Sequence, residues 1–303
     1  MGDKKNGIIL KGVGGFYDVL DASDRKTVYT CGVRGIHRKS GGKTPLPGDN
    51  VTFDILDKNK LTGHIDEICE RKNEFIRPPV ANIDRLAIVM SVVSPDPDLN
   101  LVDKLLITCE VKDISPLILI NKYDLDEEGK TVEIRKTYEK AGYTVIVISK
   151  ILDIGYDALH NELKGCVTAL AGQSGVGKST ILNKIQNSWL METGEVSERI
   201  QRGKHTTRHA QLFPLDEGGF IVDTAGFSSF SVCDLDHQSL TEYYPEYRGE
   251  SGGCRFKGCS HISEPDCRIR DLLEKGFADP GRYERYVQFY KELKDTYDNR
   301  YRR

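Results

Sequence analysis

Long apolar runs are missing from this 303-residue chain. No stretch approaches the ~18 consecutive apolar residues that cross a bilayer, so a transmembrane helix is not expected. Met1 to Lys11 holds no apolar core, so secretion is not expected either. A dominant charge is also absent. Lys+Arg 43 against Asp+Glu 46 leaves a net −3, so a nucleic-acid partner needs a local basic face rather than global charge. There is no internal repeat and no low-complexity tract. Eight cysteines in a chain of this size without a secretion signal are not a disulfide framework. These absences point to a soluble, cytoplasmic protein in a reducing compartment, with no membrane partner. With 38% hydrophobic and 29% charged residues the chain is ordinary globular material, long enough for two or three cores.

What is present is Gly172-Gln173-Ser174-Gly175-Val176-Gly177-Lys178-Ser179-Thr180. An apolar run, Val167 to Ala171, precedes it, and Ile181 to Ile185 follows with helical spacing. Strand, glycine-rich loop and helix form the context of a phosphate-binding loop. The glycines let the backbone curl so that N–H groups face the phosphates, and the helix N-terminus adds partial positive charge. Lys178 then reaches the β- and γ-phosphates, and the Ser179 hydroxyl ligates Mg²⁺. A glycine turn that merely caps a helix is the alternative. The complete spacing with both flanks favours phosphate. The loop's place past the middle of the chain is unusual, since most such loops open their domain.

Upstream, residues 1–70 carry five short β-like runs separated by turn clusters: Ile8–Leu10, Gly15–Val19, Thr27–Val33, Asp49–Leu56 and Gly63–Ile68. They predict an all-β, OB-like barrel. Phe16, Tyr17 and Tyr29, with Arg34, Lys39 and Lys43, either form a stacking face for single-stranded RNA or simply pack the barrel. Arg71 to Pro79 reads as a linker, because Arg77-Pro78-Pro79 extends neither a helix nor a central strand. Residues 71–231 then alternate strand and helix, the pattern of an α/β domain. Its strands are Arg85–Val93, Pro116–Ile120, Tyr143–Ile148, the run before the phosphate loop, Ala210–Leu215 and Phe220–Val222. Helices fall over Asn100–Glu110, Thr131–Ala141 and Tyr156–Leu163. In residues 232–303 the texture becomes mostly helical, with Ser239–Tyr244, Arg268–Lys275 and Gly281–Asp298 the helical stretches. Three motifs sit at C-terminal strand ends, where open α/β sheets place ligands.

The first is Asn121-Lys122-Tyr123-Asp124. The Asp124 carboxylate can accept from both N1–H and the exocyclic amine of guanine, a donor pair that adenine lacks. Asn121 can donate toward the far edge of the base, and the Lys122 stem lies along its face. A site built for those bonds rejects adenine, which would leave the carboxylate unpaired. The second is the phosphate loop. The third is Asp223-Thr224-Ala225-Gly226, where Asp223 joins the Mg²⁺ shell and the Gly226 N–H meets the γ-phosphate. Between the last two, Gly203-Lys204-His205-Thr206-Thr207-Arg208 supplies a switch threonine for Mg²⁺, with Thr207 preferred to Thr206.

The order Asn121–Asp124, Ser149, Gly172–Thr180, Thr207, Asp223–Gly226 resembles the circularly permuted GTPases, in which the guanine-reading motif precedes the phosphate loop. The N-terminal barrel and Cys254-x4-Cys259-x-His261-x5-Cys267 narrow the resemblance to the small ribosomal subunit-dependent ribosome biogenesis GTPase A family. That resemblance implies a GTP hydrolase with an OB-fold domain at 1–70, a permuted GTPase domain at 71–231 and a zinc domain at 232–303. It also implies GTP, GDP, the small (30S) ribosomal subunit and its rRNA as partners in late subunit maturation. Two departures stand out. Asp-Thr-Ala-Gly replaces the commoner Asp-Thr-Pro-Gly, and Ser149-Lys150 replaces Ser-Ala, so the base contact there rests on backbone N–H groups. Phe227 follows Gly226 where many GTPases carry a water-orienting glutamine. Slow intrinsic hydrolysis follows, with the water positioned by His205 or by the partner.

Cys254, Cys259, His261 and Cys267 fit a closed tetrahedral Cys₃His zinc site, structural rather than catalytic because no position is open. Arg255, Lys257, Arg268 and Arg270 beside it either face phosphate or are solvated. The switching route is expected to run from Asp223 through Phe227-Ser228-Ser229-Phe230 into this region. No long apolar helix face demands a dimer, so a monomer is expected. Two other readings stay open: a P-loop kinase or ATPase, and an RNA-binding scaffold with a purely structural nucleotide.

Overall fold

A computed structural model describes residues 4–33, 44–193, 210–215, 218–223 and 235–300 of the chain. The first five strands are β1 (Lys4–Val13), β2 (Phe16–Asp21), β3 (Val28–Val33), β4 (Asn50–Asp57) and β5 (Thr62–Ile68). They close into a barrel in the order β1-β2-β3-β5-β4, with β3 and β5 parallel and the other pairs antiparallel. The alternation of β4 puts Val51 and Phe53 inside, where they meet Ile9, Val19, Tyr29, Cys31 and Ile65. Of the aromatics weighed from the sequence, Tyr29 packs this core, its ring 5.3 Å from that of Phe53. Phe16 is exposed, and Tyr17 lies partly buried against the core. Arg34, Lys39 and Lys43 fall outside the described residues.

The segment read as a linker contains a small hairpin, β6 (Glu74–Ile76) with β7 (Pro79–Ala81). It is tied to the barrel. Arg71 donates from Nε to Asp49 Oδ1 at 2.7 Å and from Nη2 to Oδ2 at 2.8 Å, and the Asn82 amide donates to the Gly48 carbonyl at 2.9 Å.

The α/β region follows as β8 (Arg85–Ser91), α1 (Leu99–Lys112), β9 (Ser115–Asn121), α2 (Lys130–Lys140), β10 (Val145–Val147), α3 (Tyr156–Leu163), β11 (Val167–Ala171), α4 (Lys178–Thr193), β12 (Gln211–Leu215) and β13 (Gly219–Asp223). The six strands order as β10-β9-β8-β11-β13-β12. The pairs β10–β9 and β11–β13 are parallel, while β12 returns antiparallel to β13. Strands such as β9 and β11 are buried on both faces, so they read as continuous apolar runs instead of alternating. Asp98 caps α1, accepting from Leu101 N at 2.9 Å, and the helix stops at Asp113 in the left-handed region.

The C-terminal residues form 3-10 turns at His237–Tyr243, Pro245–Tyr247 and Ser251–Gly253, then α5 (Arg268–Glu274) and α6 (Pro280–Arg300). Their core gathers Leu240, Tyr244, Tyr247, Ile269, Tyr286 and Phe289, together with Ile107 of α1. The chain divides into two compact units. One holds the barrel, its hairpin, α3, α4, β12 and β13. The other holds α1, β9, α2, β10, residues 171–177 and the C-terminal region.

Candidate nucleotide site and metal centre

β9 delivers Asn121 at its end, and the 3-10 turn Tyr123–Leu125 carries Asp124. The Asn121 amide donates from Nδ2 to the Val176 carbonyl at 2.8 Å. Lys122 adopts a left-handed backbone, φ 61°, and its Nζ donates to the Gly175 carbonyl at 2.9 Å and to the Ser94 carbonyl. Asn121 and Lys122 therefore clamp the phosphate loop onto the turn that holds Asp124. The expectation for Asn121 placed its amide toward the base; here that amide donates to the loop.

Ser149 is buried beyond β10. Its hydroxyl donates to Asp124 Oδ1 and accepts from Leu152 N at 3.1 Å, while its own N–H donates to the Ile154 carbonyl at 3.3 Å. The sequence assigned a base contact at this turn to backbone N–H groups. At Ser149 that N–H is engaged inside the protein, and the side chain orients the Asp124 carboxylate.

The loop after β11 needs glycine at two points. Gly172 has φ +136°, and a Cβ there would lie 2.1 Å from the Val89 carbonyl oxygen. Gly177 has φ +100°, and a Cβ would lie 2.3 Å from Asn121 Nδ2. A side chain at Gly172 would displace the β8 backbone and one at Gly177 the Asn121 amide, so both positions call for glycine. Ser174 and Gly175 lie between them, with Gln173 half-buried beside α1 and Lys178, Ser179 and Thr180 opening α4. Burial lowers the Lys178 pKa and raises that of Asp223, which ends β13. Each charge would gain from an opposite one: an anion at Lys178, a cation at Asp223. The parallel register pairs Ala169 with Val222, so Asp223 stands level with the end of β11. His205, Thr206, Thr207, Gly226 and Phe227–Phe230 lie outside the described residues.

Cys254, Cys259, His261 and Cys267 come together, their ligand atoms all within 4.8 Å of one another. Cys254 Sγ and Cys267 Sγ each lie 3.5 Å from His261 Nδ1. Tetrahedral zinc with ordinary Zn–S and Zn–N bonds separates sulfur from nitrogen by about 3.6 Å. The donor set and its spacing both fit that ion. Burial lowers the His261 pKa, which keeps the imidazole neutral as a ligand must be, and pushes the Cys259 thiol up to about 12. The connecting loop is pinned from both sides. The Glu264 carboxylate accepts from Ser260 N at 2.7 Å, Ile262 N at 3.1 Å and Ser263 N at 3.1 Å. Burial opposes its charge, yet the bonds from Ser260 and Ser263 hold its pKa at about 2. Tyr283 donates to the His261 carbonyl at 2.7 Å and Tyr286 to the Ser260 carbonyl at 3.0 Å.

Of the cations flanking this centre, Arg268 pairs with Glu250 and Asp271, and Arg255 pairs with Asp266. Lys257 is exposed and Arg270 half-buried. Among the other cysteines, Cys31 and Cys109 are buried, Cys166 half-buried and Cys69 exposed. Sequence reasoning missed Ser94, Glu264, Tyr283 and Tyr286. Ser94 acts through its carbonyl, which no side-chain pattern reveals; Glu264 binds backbone N–H groups of its own loop, and Tyr283 and Tyr286 act across folds of the chain.

A mixed α/β sheet with a phosphate loop after β11, and a guanine-type motif earlier in the chain at the end of β9, defines the class of circularly permuted P-loop GTPases. Two family models match the chain, RsgA N-terminal domain over residues 6–65 and RsgA GTPase over residues 68–233. The chain belongs to the RsgA GTPase family. It is 53% identical over 289 residues to the small ribosomal subunit biogenesis GTPase RsgA of Ruminiclostridium cellulolyticum, covering 95% of this chain and 94% of that protein. Among solved structures, YjeQ from Thermotoga maritima superposes with a TM-score of 0.81 at 30% identity, covering 96% of this chain and 98% of the other. YloQ, described as a circularly permuted GTPase, gives 0.79 at 36% identity and 96% coverage of both chains.

Proposed function

We propose that this protein is a GTPase that binds the small ribosomal subunit and assists its late maturation, with GTP binding and hydrolysis gating its hold on rRNA. The observation that carries the reading is the clamp between the guanine-type turn and the phosphate loop, Asn121 to Val176 and Lys122 to Gly175. It joins the base-reading and phosphate-holding elements of a GTP site despite their inverted order in the chain. The subunit partner rests on relatives named as small ribosomal subunit biogenesis GTPases.

Asp124, oriented by Ser149, accepts from the two guanine donors. Residues 172–177 offer backbone N–H groups to the phosphates, and Lys178 neutralises their charge. Ser179, Thr207 and Asp223 hold Mg²⁺ directly or through water, and Gly226 senses the γ-phosphate. The metal supplies charge neutralisation for phosphoryl transfer to water. No glutamine follows Gly226, so His205 or the partner positions the attacking water and basal turnover is slow. Cys254, Cys259, His261 and Cys267 hold one structural zinc. Residues 1–70 serve as the RNA-binding barrel, 71–231 as the GTPase domain and 232–303 as the zinc-binding domain. The protein works as a cytoplasmic monomer.

GTP turnover with and without purified small subunits, at two salt concentrations, tests the reading. Stimulation that weakens at high salt is expected, because phosphate contacts release counterions. No stimulation at either salt overturns the partner. Unchanged subunit-stimulated turnover in His205→Ala would assign the water to the partner.

A further inference from the structure

One turn of α6 joins the metal centre to the nucleotide side of the protein. Arg282 is only 1% exposed. Its Nη1 donates to Asp103 Oδ1 of α1 at 2.5 Å, and its Nε and Nη2 donate to the two carboxylate oxygens of Glu246 at 2.6 and 3.3 Å. Arg285 donates to the other oxygen of Asp103, which is itself 1% exposed. The guanidinium carbon lies 5.3, 5.4 and 5.1 Å from the rings of Tyr138, Tyr143 and Tyr244. Asp279 fastens the same corner, accepting from Thr137 of α2 at 3.0 Å while it caps Arg282 N at 2.9 Å.

A guanidinium so enclosed has one arrangement. Sliding the C-terminal region off α1 would part the buried Asp103 carboxylate from both Arg282 and Arg285, which costs far more than breaking surface pairs. The C-terminal region and α1 therefore move as one body. Tyr283 and Tyr286, on the same turn of α6, hold the carbonyls of His261 and Ser260 in the metal loop. At the other end, Leu101, Val102 and Leu105 of α1 line a narrow cavity with Gly172, Gln173 and Val176 of the phosphate loop. Just before α1, the Ser94 carbonyl receives Lys122 Nζ.

We propose that Arg282 is a positioning residue for stimulated GTP hydrolysis, carrying engagement of the metal-bearing region through Asp103 and α1 to the phosphate loop. This route runs through guanine-side packing and is separate from the one expected after Asp223. The inference rests on the proposed GTPase function and its subunit partner. A load on the metal loop tilts α6, α6 tilts α1 through the Arg282–Asp103 pair, and α1 presses or releases residues 172–176.

The test compares the full chain with Arg282→Met and Arg282→Lys, each first assayed for one zinc per chain and for basal GTP turnover within twofold of the parent. In Arg282→Met, kcat with saturating small subunits is expected to fall at least tenfold while half-saturation by subunits stays within twofold. Arg282→Lys keeps the charge and loses the fork, so it should recover part of the stimulation. Stimulation within twofold of the parent in a zinc-loaded Arg282→Met overturns the inference. A parent that small subunits do not stimulate overturns the function reading instead. Amide hydrogen exchange on the unaltered chain decides the coupling if the variants do not fold or the parent is not stimulated. A non-hydrolysable GTP analogue should slow exchange at least threefold over 282–290 of α6, and equal exchange with and without it refutes the coupling.

Discussion

Gly177→Ala probes the clamp at its tightest point. The added Cβ would stand 2.3 Å from Asn121 Nδ2, on a residue whose φ is +100°. Asn121 has little room to yield, since it is 5% exposed at the end of β9 and held by the 2.8 Å bond to the Val176 carbonyl. Two costs follow. Holding alanine in a positive-φ conformation costs about 1–2 kcal/mol. Displacing the Asn121 amide from its acceptor removes a hydrogen bond worth about 1 kcal/mol. If the loop relaxes when empty and must be reset by ligand, the sum of about 2–3 kcal/mol appears as a loss of guanine nucleotide affinity of about 30- to 150-fold. If the loop stays strained, the same sum appears as lost stability. Titration with a fluorescent GDP analogue and denaturant unfolding together measure both. Gly142→Ala is the control, because Gly142 has φ +93° and a Cβ there would meet nothing within 4 Å. It should lose only the strain, about 1–2 kcal/mol of stability, and keep its affinity. A Gly177→Ala protein that matches Gly142→Ala in both assays would refute the steric argument.

Three further outcomes are expected. Asp124→Asn should lower GTP affinity at least about 100-fold, since it removes a charge-assisted acceptor facing two donors. The Ser149 hydroxyl still donates to the carbonyl of the new amide, which turns its NH₂ toward the base, so xanthine nucleotide, with a carbonyl at that edge, should bind better than guanine; retained guanine preference in competition binding contradicts this. Chelation, or Cys267→Ser, should remove the proposed zinc and flatten the near-UV tyrosine signal from Tyr283 and Tyr286, whereas an unchanged spectrum would argue that no metal organises the loop. Glu264 has a folded-state pKa depressed to about 2, so its stabilising contribution is complete above the unfolded carboxylate value and is lost as pH falls toward 2. Between pH ~4.3 and about 2 the parent should therefore lose more stability than Glu264→Gln, and parallel pH profiles for the two would exclude the carboxylate as the loop's organiser.

The barrel and the sheet were legible because their strands carry local patterns: alternation in β4, which half-faces a core, and unbroken apolar runs in β9 and β11, which face two. The phosphate loop was legible because glycine is demanded by backbone geometry at Gly172 and Gly177. The clustering of Cys254, Cys259, His261 and Cys267 was legible because four soft or borderline donors within one short segment have few other uses. Legibility failed where a residue's role depends on a distant partner. Arg282 reads as one more charge on a polar helix, yet it is buried, and Asp103 lies 179 positions away. Arginine is so commonly exposed that no local period predicts its burial. Arg71 and Asn82 likewise turn a proline-rich connector into a hairpin tied to the barrel through Asp49 and Gly48. Asn121 illustrates the same limit inside the site: the motif gave its identity, and only the fold revealed the Val176 carbonyl as its acceptor.

Permutation explains why such long-range contacts matter so much here. The guanine-type turn and the phosphate loop are 55 positions apart where Asn121 meets Val176. Chain order does not hold them together, so hydrogen bonds from Asn121 and Lys122 do. The same inversion starts the α/β region at β8, directly after the β6–β7 hairpin, and ends it at β13, ahead of the metal-bearing region. Each added region is thus joined covalently at one point and must be fixed noncovalently elsewhere if it is to act on the nucleotide. Between the barrel and its own connector the contact is Arg71 with Asp49; between the C-terminal region and α1 it is Arg282 and Arg285 with Asp103. Both are arginine–carboxylate pairs with buried partners, the kind of contact that fixes orientation even where a hydrophobic replacement would be equally stable. On that logic their substitution should disturb the response to a partner before it disturbs the fold.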